Sequence, residues 1–136
     1  MRFPLSFLRG ATLALACTGA ALPALAQDTP ASTQHAACMD KAAGVTLAMV
    51  ECLVSELGRQ DKRLNTAYSA LMVALDPPRK KQLQTAQRLW LQYRDANCSF
   101  YLDPDGGSLA RVSANGCMVQ MTAQRAQELV DLKPMR

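Results

Sequence analysis

The chain has 136 residues, of which 49% are hydrophobic and 5% aromatic, and a formal net charge of +4. This length suits one domain. A single His and no Lys/Arg run interleaved with aromatic residues argue against a Ser/His/Asp hydrolase and a nucleic-acid binder.

Residues 1–26 read as a removable leader. Arg2 and Arg9 precede an apolar run from Gly10 to Leu22, and Ala24-Leu25-Ala26 is a small-residue cleavage site. The run is too short to cross a bilayer stably and is followed by Pro23. Cys17 lacks the Leu three residues earlier that lipoprotein processing prefers, so cleavage after Ala26 is expected instead. Cleavage removes Arg2 and Arg9 from the 15 Lys and Arg, which against 11 Asp and Glu leaves a charge of +2. No transmembrane segment is then expected. The five cysteines become four: Cys38, Cys52, Cys98 and Cys117. An even number after export reads as two disulfides rather than a metal site, because no C-x-x-C occurs and His35 stands alone near the leader.

Residues 27–44 form a small, polar lead-in with a short helix over Thr33–Ala43, which carries Cys38 and is closed by Gly44. Residues 45–133 form the helical domain. Thr46 is the expected N-cap of a long helix that runs to about Asp76 and is stopped by Pro77-Pro78. Its apolar positions are Leu47, Val50, Val54, Leu57, Leu64, Tyr68, Leu71 and Leu75, three and four apart if Asp61 fills the missing step. That is the seam of a helix packed nearly antiparallel in a bundle. A carboxylate on such a seam needs a partner.

The second long helix begins at Pro78 or Arg79, with Leu83, Ala86, Trp90, Tyr93, Asn97 and Phe100 as its seam. Folding the chain about residue 77 sets Asp61 opposite Tyr93 and Arg94. The expected internal clamp is Asp61 with Arg94, completed by Tyr93 or Asn65, beside Tyr68 and Trp90. The segment 103–107 is a turn, its Asp-x-Asp-Gly only a fragment of a calcium loop. Ser108 is the expected cap of a third helix to about Leu132, bent near Asn115-Gly116, with Val112, Met118, Met121, Leu129 and Leu132 on its apolar face.

The fold class expected is therefore all-α: a small antiparallel three-helix bundle with a short N-terminal helix, stapled by two disulfides. Four cysteines allow three connectivities. Cys38 precedes the helix whose back carries Cys52, and Cys98 and Cys117 flank the last turn, which favours Cys38–Cys52 and Cys98–Cys117. A continuous helix would hold the first pair ~21 Å apart, so a break at Gly44 is required.

Little chemistry is visible. The carboxylate pairs Asp61/Glu56 and Asp95/Glu128 have nothing that sets them across a cleft, no phosphate loop occurs, and no catalytic residue, cofactor or metal is expected. Arg79-Lys80-Lys81 places three cations in a first helical turn, against the helix dipole. This is either a solvated tip or a docking point for an acidic partner.

The pattern Cys52-x8-Asp61-x2-Leu64-Asn65-x2-Tyr68-x2-Leu71, followed by Ala86-Gln87-x2-Trp90-x2-Tyr93-Arg94-Asp95-x2-Cys98, resembles the lysozyme inhibitor LprI N-terminal domain family of exported bacterial proteins. Gly106-Gly107, Cys117, Thr122, Arg125 and Glu128-Leu129 continue the likeness. The resemblance implies a non-enzymatic protein of the periplasm or the medium that binds and inhibits C-type lysozyme. The rival expectation is an envelope interaction or scaffold module with another protein partner and no effect on lysozyme.

Overall fold

A computed structural model describes residues 32–132. The leader, its cleavage site, Cys17 and residues 27–31 lie outside the described residues. Four helices follow in order: α1 (Thr33–Ala42), α2 (Thr46–Ala74), α3 (Pro77–Ser99) and α4 (Leu109–Asp131). Among the described residues there is no strand, and no helix is long and apolar enough to cross a membrane.

Local chemistry sets the helix ends. The Ser32 hydroxyl accepts from the His35 amide and starts α1. Ala43 (φ 46°) and Gly44 (φ 81°) then take the left-handed conformation that ends it and turns the chain onto α2. His35, expected in a lead-in outside any ordered core, is a half-buried residue of α1. Thr46 is the first helical residue of α2 rather than its cap, and its hydroxyl lies 3.4 Å from that of Ser108. The Asp76 carboxylate accepts from the Arg79 amide at 2.9 Å and caps α3, with Pro77 and Pro78 in the first turn. Ser108 precedes α4 but makes no side-chain cap. α4 runs unbroken through Asn115-Gly116, contrary to the expected bend. Helix hydrogen bonds on both sides carry this Gly at a cost of only ~1 kcal/mol.

The chain runs up, down and up. Thr46–Ser108 at one end and Arg63–Gln127 farther along join α2 and α4 at near-constant sequence offset, so these helices lie parallel. They form the closest helix pair, because α4 turns Ala110, Ala114, Thr122, Ala123 and Ala126 inward. α3 crosses back between their ends and stands farther from α2, reaching the core with long side chains. An apolar cluster of Leu64, Ala67, Leu71, Leu83, Ala126 and Leu129 fills the end near the α2–α3 turn, with Tyr68, Met72, Leu75 and Trp90 against it. Two disulfides, Cys38–Cys52 and Cys98–Cys117, hold the other end, with Cα separations of 5.7 and 5.4 Å.

The buried faces differ from the expected seams. On α2 the inward positions are Leu53, Glu56, Gln60, Leu64, Ala67 and Leu71, while Leu47 and Val54 are exposed. On α3 they are Leu83, Arg94 and Cys98, while Ala86, Tyr93 and Phe100 face solvent. On α4, Leu132 is exposed. Polar residues occupy core positions, so a seam traced through apolar residues drifts onto the helix flank.

Candidate functional site

Three polar arrangements stand out. The first surrounds Glu56, whose side chain is fully buried beneath α1. Oε2 accepts from the Ser32 hydroxyl at 2.6 Å and from Arg59 Nε at 2.7 Å, and Arg59 Nη2 lies 2.7 Å away. Oε1 accepts from Gln60 Nε2 at 2.7 Å and, weakly, from the Ser32 amide at 3.5 Å. Burial alone would push this carboxyl up. The donors from Ser32, Gln60 and Arg59 outweigh it and hold the group at about 2, against an ordinary 4.5. Glu56 thus fastens the start of α1 to α2 and is fully committed to that task. As half of an acid/base pair with Asp61 it would need access to substrate, which its burial denies.

The second arrangement centres on Arg94. Its Nη1 lies 3.5 Å from Asp61 Oδ1 of α2 and donates to Thr122 Oγ1 of α4 at 3.1 Å. Nε and Nη2 reach Asp95 Oδ1 at 3.0 and 2.9 Å. The guanidinium also lies 5.2 Å from the Trp90 ring centroid, and that of Arg125 lies 5.9 Å from it. One buried cation therefore touches all three long helices, and the two carboxylates facing it keep part of their hydration. Asp61 and Arg94 come together, but the remaining hydrogen bonds come from Thr122 and Asp95. Tyr93 and Asn65 are exposed and make no side-chain hydrogen bond to the pair. They sit one position to either side of the inward stripe, where a helix turns them to solvent. Tyr68 and Trp90 pack against the apolar cluster.

The third is the tip. Arg79 and Lys81 are exposed and Lys80 partly so; among the described residues none of the three makes an ion pair. Asp76, their only near carboxylate in sequence, is engaged in capping.

Glu56 and Thr122 escaped the reading of the sequence as structural partners. A signal for Glu56 was present: once Cys52 is tied to α1, the residue four farther on must also lie under α1. Thr122 belongs to a row at four-residue spacing, Ala110, Ala114, Met118, Thr122 and Ala126, small at every position but Met118, which marks the close helix contact. Among the described residues no group of three metal-ligating side chains converges.

A family model for lysozyme inhibitor LprI matches residues 38–129, from the first disulfide cysteine to the last core leucine. Over 81 residues the chain is 32% identical to uncharacterized protein R02472 of Rhizobium meliloti (strain 1021), covering 59% of this chain and 55% of that relative. The chain thus spans about half the length of the curated relative it matches. No solved structure matches. A four-cysteine helical domain matched by the family model from Cys38 to Leu129 is a member of the lysozyme inhibitor LprI family.

Proposed function

We propose that this protein is an exported binding protein that captures C-type lysozyme and blocks its cleft. The observation that carries this reading is family membership across residues 38–129. The Arg79-Lys80-Lys81 tip supplies a mechanism. C-type lysozymes cut with acidic residues in a cleft, and a narrow helix–helix turn bearing three cations without ion partners offers complementary charge. The capped, proline-started turn holds these side chains on a rigid support, which lowers the entropy lost on docking. The work is binding, without chemistry.

The test is titration of the oxidised protein against C-type lysozyme, following lysis of peptidoglycan at low and moderate salt. Saturable inhibition that weakens with salt supports the reading. Substituting Arg79→Ala, Lys80→Ala and Lys81→Ala together abolishes inhibition and leaves the melting temperature unchanged. Inhibition that survives this triple change would remove the tip from the mechanism.

A second reading, a scaffold module with another protein partner, has its own support. At the opposite end Val45, Leu47, Phe100, Leu102 and Leu109 are exposed, Phe100 by 84%. The Thr46–Ser108 contact brings the two segments bearing them together. Exposed apolar patches of this kind mark interaction surfaces. No inhibition by the folded, oxidised protein, with capture of an envelope protein lost on Phe100→Ser, would favour this reading.

A further inference from the structure

Between α3 and α4 runs a groove of about 690 Å³ that neither the tip nor the exposed apolar end uses. Its α3 side carries Tyr93 and Asn97, four residues apart on one helical face, and Tyr101 lines it from the turn just beyond the helix. Both tyrosines are exposed. The α4 wall carries Ser113, Gln120 and Gln124. Met121 and Cys117, the α4 half of a disulfide, form a soft apolar floor, with Asn97 Nδ2 3.4 Å from the Met121 sulfur. The charged lining residues are Arg125 and Glu128, and they neutralise one another at 2.9 Å.

The geometry points to a binding site for a neutral oligosaccharide bearing acetamido groups. Two exposed tyrosine rings, one on α3 and one in the turn beyond it, offer stacking surfaces to the C–H faces of sugar rings. Side-chain amides and a hydroxyl on the α4 wall both donate and accept, as sugar hydroxyls and acetamido groups require. The thioether and disulfide floor offers a methyl group a place away from water. The paired charge gives no attraction to phosphate or to an acidic polymer. Peptides fit less well. A helix wants a continuous apolar groove and an extended strand wants an open sheet edge, and these walls are polar and helical. From Ser113 to Glu128 the groove follows ~22 Å of α4, which suits an oligomer rather than a single sugar. This site is independent of lysozyme capture by the tip.

Trp90, the sole tryptophan, lines the same groove and reports on it directly. The experiment titrates a β-1,4-linked N-acetylglucosamine tetramer into the full oxidised protein without lysozyme, following Trp90 emission and, in parallel, calorimetric heat. An α-1,4-linked glucose tetramer and an uncharged tetrapeptide serve as comparisons. Saturable binding of the acetamido tetramer is expected. Tyr93→Ala with Tyr101→Ala, both at exposed positions, should weaken it about tenfold or more, while circular dichroism stays unchanged. No binding by either readout at millimolar sugar would overturn the assignment. Undiminished binding in the double variant, or tighter binding of the peptide, would do the same. Equal binding of the glucose tetramer would overturn its acetamido part.

Discussion

Around Leu64, Leu71, Leu83 and Leu129 the helices meet through aliphatic side chains, whereas around Cys52, Glu56, Arg94 and Cys117 they meet through sulfur bridges and buried charge. The first region gains from burial that needs no exact partner geometry. The second must match every charge with donors or acceptors, since an unmatched one costs more than a good pair returns. Covalent links then hold what apolar burial does not. The contrast teaches that in so small a bundle an apolar core at one end suffices only when the other end is tied.

The sharpest way to break this contrast is at the apolar end. Leu129→Ala removes a fully buried side chain beside Ala126 and should cost about 2–5 kcal/mol in denaturant unfolding. At the tied end, replacing Cys98 and Cys117 together by Ser should cost roughly 2–4 kcal/mol. Hydrogen exchange should then show protection falling first near the C-terminus of α3. Uniform loss along all helices would mean the two ends are not separate in stability.

Glu56→Gln removes a charge-assisted acceptor from Ser32 and Arg59 and should cost about 1–3 kcal/mol. The sign of its pH effect is fixed by its value of about 2, below the ordinary 4.5. The stabilisation from Glu56 is fully present above 4.5 and is lost as pH falls toward about 2. The Gln variant should flatten the acid side of the stability profile in that window, and an unchanged slope there would contradict the burial of this charge. Arg94→Met leaves the buried Thr122 hydroxyl without its donor and should cost on the order of 1 kcal/mol. The smallest effect is at the tip, where the triple Ala change should alter stability by less than about 0.5 kcal/mol.

The helices and their order were readable because chain punctuation is local. Gly44, Pro77-Pro78 and Gly106-Gly107 break the helical pattern, and each break occurs in the structure. The disulfide pairing followed from the same breaks. The inward faces were harder to read, because periodicity was traced through apolar residues. Glu56, Gln60, Arg94 and Thr122 occupy inward positions, and Val54, Tyr93 and Phe100 occupy outward ones. The proximity of Asp61 and Arg94 could be read from the turn at residue 77, since antiparallel helices fix register by counting. Thr122 could not be found that way, because α4 joins the pair across a separate loop whose geometry the sequence does not count out. The α3–α4 groove is hidden by the apolar seam instead, which turns Tyr93 inward, whereas Tyr93 is exposed and lines the groove.

The disulfide topology bears on how the chain is made. The bonds are consecutive along the sequence, with separations of 14 and 19 residues, and neither encloses a cysteine of the other. On the export route proposed above, with the leader and its Cys17 removed, a polypeptide threaded through a membrane N-terminus first presents Cys38 and Cys52 as its earliest thiol pair, and Cys98 and Cys117 follow. An oxidase acting in order of emergence makes both native links without meeting a wrong partner. Correct maturation then needs a thiol oxidant but no isomerase, so loss of isomerase should leave the yield of oxidised protein intact, whereas loss of the oxidant should not.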